Sequence, residues 1–288
     1  MASKQRGVPA AKASPVFSPE FKYHGGPIIA NAKVGLIFVG QHPFEKEITQ
    51  FVSDLGQSKF MNILSQYGVK SLVVASTKQV NAQPGNLTIK DIWNTVRDAA
   101  KTDTEANCFL LLLAPGIGTQ DGSTVVCEKN GANAFGFHDY FYHLFHRFDY
   151  AVVPALTDDC LKESCPSDLA CSLHLAQKQL DRITQVISHE LAEMLTDPRL
   201  DAWTIPGFGE NGDLCNGGNA SLQVNGRTWN VQKTYSKRHD EQGQPYCQSE
   251  NPSPLPAYSL SASIFSYHAN FWTQVWHFFS NNLSALGL

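Results

Sequence analysis

The sequence lacks three features that would have assigned the protein to a familiar class. No apolar run reaches the roughly 18 residues of a membrane-spanning helix, so no transmembrane segment is predicted. The formal net charge is -4, which gives no reason to expect a nucleic-acid partner. No Cys-x-x-Cys pair occurs, which argues against a zinc knuckle, and we find no internal repeat.

The chain start also lacks a feature. Residues Met1–Arg6 contain no apolar h-region, which a secretory signal peptide would require. Either a leader has been removed and the start rebuilt, or any export follows another route. Residues 1–22 carry no periodic pattern and are interpreted as a flexible arm.

The segment 251–288 lacks charge, because no Lys, Arg, Asp or Glu follows Glu250. An interfacial membrane helix normally carries basic residues on its polar face, so neither that role nor a membrane-directed toxin element is favoured. Apolar residues nevertheless recur at helical spacing, which predicts a helix that packs on its own domain or mediates self-association. They are Ile264, Phe265, His268, Phe271, Trp272, Val275, Trp276 and Phe279.

What is present describes a globular protein of 288 residues, with 42% hydrophobic and 17% charged residues. Buried strands are predicted at 34–39, 71–76 and 108–114, with helices at 45–67 and 91–101 between them. Alternating strands and helices predict an α/β layer with mainly parallel pairing. We assign 23–250 to a single domain.

The second half of the chain has a different pattern. Residues 135–156 are aromatic and β-branched, which predicts one or two strands. Beyond Pro198 the chain is expected to be loops and short strands, with a hairpin across Asn225-Gly226.

The seven cysteines favour an extracellular or cell-surface protein. Cys160, Cys165, Cys215 and Cys247 lie in loop-like segments, which favours disulfides in an oxidising compartment. The odd total leaves at least one thiol free or bound to another chain. Three glycosylation sequons are compatible with secretion; they begin at Asn86, Asn219 and Asn282.

The most informative stretch is the string His189-Glu190-Leu191-Ala192-Glu193, near the end of an amphipathic pattern that begins near Asp168. His189 and Glu193 are four residues apart, so a helix places them one turn apart on one face. His-Glu-x-x-His zinc peptidases space two metal ligands in this way, and keep their general base at the position of Glu190. Asp197-Pro198 is expected to end the helix.

A simpler interpretation is that His189 and Glu193 form an exposed pair worth a few tenths of a kcal/mol. A zinc site also needs a third protein ligand and an open position for water. The sequence offers several candidates for that ligand, and spacing does not choose between them. They are His138, Asp197, Asp201, Glu210 and Asp213.

Short islands between about Tyr23 and Cys247 resemble the phosphate-induced, EXORDIUM-like proteins, and the later ones look like the microbial members. The islands are Tyr23-His24-Gly25-Gly26-Pro27, Gly136-Phe137-His138, Tyr150-Ala151-Val152-Val153-Pro154, Cys160 with Cys165, His189-Glu190-Leu191-Ala192-Glu193, Thr196-Asp197-Pro198, Ala202-Trp203 and Gly212-Asp213-Leu214-Cys215.

This resemblance implies a secreted, disulfide-bearing protein of zincin-like α/β architecture, with a mixed sheet and a long active-site helix. Its last island makes Asp213 the preferred third zinc ligand beside His189 and Glu193, with His138 and Glu210 in reserve. We expect a zinc-dependent hydrolase, a peptidase acting on peptide or protein with Glu190 as its base. The alternative is a non-enzymatic cell-wall, surface or self-assembling protein on the same scaffold.

Overall fold

The fold is built on a five-stranded mixed sheet. The computed structural model describes residues 20–120, 135–160, 177–205, 207 and 209–260. The strands are β1 (Lys22–Tyr23), β2 (Asn31–Val39), β3 (Ser71–Val80), β4 (Gly85–Thr88), β5 (Cys108–Leu113), β6 (Ile117–Gln120), β7 (Phe137–His143), β8 (His146–Val153), β9 (Trp203–Thr204), β10 (Asn219–Val224), β11 (Arg227–Gln232), β12 (Thr234–Tyr235) and β13 (Cys247–Gln248). The α-helices are α1 (Glu45–Gly56), α2 (Met61–Leu64), α3 (Ile89–Ala100), α4 (Gln179–Thr196) and α5 (Lys237–Glu241), with 3-10 turns at Ser65–Tyr67 and Asp213–Cys215.

The central sheet has the strand order β3-β2-β5-β8-β7. The first four strands are parallel, and β7 pairs antiparallel with β8 at one edge. The predicted α/β layer with mainly parallel pairing is therefore confirmed. The parallel pair β4 and β6 lies outside this sheet and was not predicted.

Helices cover both faces of the sheet. On β2, Leu36 and Phe38 point into a core shared with α1 and α4, whereas Ile37 points into a second core against α3. Burial on both faces explains why β2 and β5 are apolar runs without alternation. The strand predicted as buried at 71–76 is wrong in that respect, because β3 is an edge strand in which Leu72 is buried and Val73 is exposed. Each large apolar side chain buried in this way contributes about 1.5–3 kcal/mol to folding.

The single helix predicted over 45–67 is divided in two at Gly56, as this glycine suggested. A side chain there could not be accommodated, because a Cβ on Gly56 would lie 2.0 Å from the carbonyl oxygen of Leu72. The chain then continues as α2 and a 3-10 turn that ends at Gly68 in the left-handed region.

The motif helix α4 starts later than its apolar pattern predicts. A start near Asp168 is wrong for this helix, because Lys178 is extended and Gln177 is not helical. Periodicity alone cannot locate such a break, and residues 168–176 lie outside the described chain. The predicted end is confirmed, since α4 finishes at Thr196 and the Asp197 carboxylate accepts the backbone N–H groups of Asp201 and Ala202.

Beyond α4 the chain forms short strands and loops, as expected. The strands β10 and β11 pair as a hairpin across Asn225 and Gly226, both with positive φ, which is the turn this dipeptide favours. Within the described ranges, the structure contains no helix both long and apolar enough to cross a bilayer.

Packing extends past both ends of the domain assigned from sequence. Phe21 is buried against Tyr67, Trp203 and Tyr235, although it was placed in the flexible arm. The Tyr258 ring, within the segment assigned to the C-terminal region, contacts the Trp203 ring at a centroid distance of 5.5 Å. The aromatic helix predicted within 261–288 lies outside the described residues.

Cys215 and Cys247 form a disulfide with an S–S distance of 2.04 Å, and both were among the predicted disulfide cysteines. Cys160 is also disulfide-bonded, but its partner and Cys165 lie outside the described residues. Cys108 is a buried free thiol on β5. The Cys215–Cys247 bond connects the loop after α4 to β13.

Opening this disulfide should lower stability. Because the bond closes a loop with a sequence separation of 32 residues, Cys247→Ser should reduce the free energy of unfolding by about 3–4 kcal/mol. Urea unfolding followed by tryptophan fluorescence would measure the change. The double variant Cys215→Ser, Cys247→Ser should match it, since losing one sulfur already opens the loop. An unchanged unfolding midpoint in both variants would contradict the prediction.

Candidate metal centre

The last two turns of α4 are buried between the edge of the sheet and the β10–β11 hairpin. Thr184 donates to the carbonyl oxygen of Asn230, and the Ser188 hydroxyl accepts the backbone N–H of Gln232, so β11 lies along the helix. The side chains of His189 and Glu193 are only 14% and 5% exposed. They are therefore not the solvated surface pair that the simpler interpretation described.

His189, Glu193 and Asp213 converge on one point. The Nε2 atom of His189 lies 3.1 Å from Oε2 of Glu193 and 3.8 Å from Oδ1 of Asp213. Two ligands about 2.0–2.2 Å from a tetrahedral ion lie about 3.3–3.5 Å apart, so these separations suit a shared cation. The preferred ligand set from the sequence is thus brought together, as one of two groups with metal-ligand spacing among the described residues.

Hydrogen bonds hold both carboxylates of this group in place. Oε1 of Glu193 accepts the backbone N–H of Asp213 at 2.9 Å, and Oδ2 of Asp213 accepts the backbone N–H of Glu210 at 3.2 Å. Each carboxylate therefore has one oxygen fixed by the backbone and the other directed at His189. Such outer contacts orient metal ligands and are part of a working site.

Gln232 fixes the opposite side of the His189 ring. Its side-chain nitrogen lies 2.7 Å from Nδ1 of His189 and donates to the carbonyl oxygen of Gly212 at 2.9 Å. Gly212 can approach this closely because it has no side chain. A Cβ there would lie 2.7 Å from Oε1 of Glu193 and 2.9 Å from Nδ1 of His189.

His138 brings a second imidazole to the same place from the edge strand β7. Its Nδ1 lies 3.6 Å from Oε2 of Glu190 and 3.7 Å from Oε2 of Glu193, and its Nε2 lies 3.5 Å from Oε1 of Glu210. His138, Glu190 and Glu193 form the second group with metal-ligand spacing. Both residues held in reserve, His138 and Glu210, are thus part of the cluster.

Two other acidic candidates have different surroundings. The Asp197 carboxylate caps the turn after α4, and Asp201 lies 3.8 Å from Arg199. Among the described residues, neither belongs to a group with metal-ligand spacing. Gln232 was missed from the sequence, because an amide on a hairpin strand carries no motif and only the packing of β11 on α4 places it.

The electrostatics of the cluster are dominated by burial and by opposite charges. Burial is the largest single influence on His189 and opposes its protonation, but the carboxylates of Glu193, Glu190 and Asp213 together outweigh it and raise the pKa of His189 to about 10. Burial also opposes protonation of His138, and Glu210 with its neighbours raises that pKa well above its ordinary value. Burial raises the pKa of Glu210 to about 9. A divalent cation would replace the protons as the balancing charge.

A cavity of about 510 Å³ opens onto the cluster. The titratable side chains that line it are those of His138, His189, Glu190, Glu193, Glu210 and Asp213. The apolar part of its lining comes from Phe135, Phe137, Val186 and Leu200. Asp213, whose side chain is 40% exposed, marks the accessible side, whereas His138 is 4% exposed and lies deep. The cavity is large enough to admit a substrate segment.

Known proteins add no assignment. No family model, curated protein or solved structure matches the chain.

Removing the Gln232 amide should weaken metal binding. With Nε2 of His189 on an ion, Nδ1 carries the ring proton, and the Gln232 amide would accept it through its oxygen, after exchanging the places of its oxygen and nitrogen. Gln232→Ala removes that acceptor, and loss of such a contact typically costs 10–100-fold in metal affinity. Competition with a chromophoric zinc chelator would measure the affinity. Gln223→Ala on the neighbouring strand is the matched control, since Gln223 pairs with Thr228 and lies outside the cavity lining. Equal affinities for the two variants would refute a supporting role for Gln232.

Proposed function

We propose that the protein is a zinc-dependent hydrolase, a peptidase, on a zincin-like scaffold. The observation that carries the proposal is the convergence of His189, Glu193 and Asp213 at one wall of an open cavity, with Glu190 beside them. A mixed sheet and a long helix carrying the motif agree with the zincin-like arrangement.

The donor set fits zinc. One imidazole and two carboxylates are ligands that zinc accepts, and three protein ligands leave a fourth position for water, as in catalytic sites. Asp213 is the most exposed of the three, so the open position would face the cavity. When bound, zinc lowers the pKa of its water and polarises a substrate carbonyl.

Glu190 is the residue suited to act as general base. It follows the first ligand directly, and its carboxylate lines the same cavity as the proposed ligands, so it would accept a proton from water bound there. Gly136 permits its present position, because a Cβ on Gly136 would lie 2.7 Å from Oε1 of Glu190. Its role is to take a proton from water and return it to the leaving amine.

The lining of the cavity supports a peptide substrate. Phe135, Phe137 and Leu200 form an apolar wall beside the polar cluster, an arrangement that suits a side chain next to a polar backbone. The disulfide between Cys215 and Cys247 agrees with the proposed extracellular location.

Replacing the base should abolish turnover without removing the metal. Glu190→Gln is expected to keep the His189-dependent zinc and to reduce peptide hydrolysis by at least about 100-fold, the usual minimum for a general base. Cleavage of casein or a quenched-fluorescent peptide library, blocked by a chelator, gives the rate. Glu105→Gln, at an exposed position, should hydrolyse like wild type. Unchanged turnover in Glu190→Gln would remove the mechanism.

Replacing the first ligand should remove the metal itself. His189→Ala is expected to lose the zinc retained by wild type after gel filtration, because an imidazole ligand is missing. Elemental analysis of the purified proteins gives the ratio of zinc to protein. His143→Ala is the matched control, on an exposed histidine near the β7–β8 turn. Equal zinc content in wild type and His189→Ala would exclude this site.

The same measurements separate an enzyme from a scaffold. If zinc depends on His189 but no hydrolysis is found, the ion only holds α4 to the Asp213 loop. That result would favour the non-enzymatic surface or cell-wall protein expected as the alternative.

A further inference from the structure

We propose a second divalent-cation position beside the first, held by His138, Glu190 and Glu193, with Glu193 shared between the two positions. This inference rests on the proposed function, since it takes the first position to be a metal site. It is carried by the two separate groups with metal-ligand spacing, in which Glu193 occurs twice.

The geometry of Glu193 suits a bridging carboxylate. Its Oε2 atom faces both rings, 3.1 Å from Nε2 of His189 and 3.7 Å from Nδ1 of His138. His138 and His189 do not fall within a single group, so one ion would not serve both rings as they stand. Two ions about 3.5–4 Å apart, the spacing of known two-metal sites, would do so.

Glu210 provides independent support. It is buried and lines the cavity, yet its Oε1 atom has no hydrogen-bond partner within the part of the chain that the structure describes. Such an atom is costly unless a charge compensates it. Nε2 of His138 lies 3.4 Å from the carbonyl oxygen of Asp197 and 3.5 Å from Oε1 of Glu210. Both acceptors therefore lie on the far side of that ring while Nδ1 faces the second position, as acceptors do behind ligating histidines.

The charge of the cavity lining also favours a second divalent cation. Its lining includes the carboxylates of Glu190, Glu193, Glu210 and Asp213, while no Lys or Arg occurs among the described lining residues. With both imidazoles neutral, as ligands must be, and with the proton that burial favours on Glu210 released, one divalent ion leaves the cluster negative. A second divalent ion removes the excess, and buried charges require such pairing.

The chemistry of the position selects a transition metal. One imidazole and two carboxylates suit zinc, manganese or iron(II) better than the all-oxygen site preferred by calcium or magnesium. The second position lies deeper than the first, because the His138 side chain is less exposed than that of Asp213. It should fill only when zinc is in excess, because an ion already bound at the neighbouring position repels a second one.

Filling the second position has a consequence for the proposed reaction. Glu190 belongs to that position, and a carboxylate bound to an ion is a poor proton acceptor. Excess zinc should therefore inhibit hydrolysis, and the enzyme should be most active with one ion.

The test is zinc stoichiometry of the full chain by isothermal titration calorimetry, with zinc chloride as the probe. Wild type is expected to bind two ions, the second more weakly, and His138→Asn only the first. His143→Asn, on an exposed ring, should keep both. Wild-type crystals soaked in excess zinc should show two anomalous peaks about 3.5–4 Å apart, a measurement that does not depend on any variant folding.

The outcomes separate this inference from the proposed function. One ion in wild type, dependent on His189, leaves the proposed function standing and overturns the second position. No bound ion overturns both. Two ions in a folded His138→Asn variant overturn the assignment of His138.

Discussion

The site depends on one constraint, the compensation of carboxylates buried at the end of α4. Glu190 and Glu193 lie on a helix whose last two turns are enclosed by protein. A buried carboxylate without a counter-charge is strongly destabilising. The fold meets this requirement with His138 from the sheet edge, and with His189 on the helix itself. A cation held between these groups would meet it more completely.

Three elements packed around the end of α4 each contribute residues to the candidate metal centre. The antiparallel edge strand β7 places His138 over the helix, and β11 lies along its other side with Gln232 at the His189 ring. The loop carrying Asp213 returns beneath the helix end, where the Cys215–Cys247 bond anchors it. Cys215, one end of the disulfide, therefore lies only two residues after Asp213, a proposed metal ligand.

Sequence patterns succeeded where a local rule was sufficient. The buried strands β2 and β5 were found because both faces of the sheet are covered there. The β10–β11 turn was found because Asn225-Gly226 favours positive φ at both positions. The predicted start of α4 was wrong because the helical spacing of apolar residues in the sequence continues across Lys178, which is extended in the structure. Phe21 was placed in a flexible arm because one aromatic residue carries no period, although three aromatic partners enclose it.

By itself, the sequence determined the pairing of His189 with Glu193, because a helix fixes which residues four apart share a face. It also identified Asp213, His138 and Glu210 as candidates, through a resemblance and through residue type. Only the tertiary structure decided that all of them meet, and that Gln232 stands behind a histidine. The reason is physical: contacts between a helix, an edge strand and a returning loop depend on packing across long separations, which no local spacing encodes.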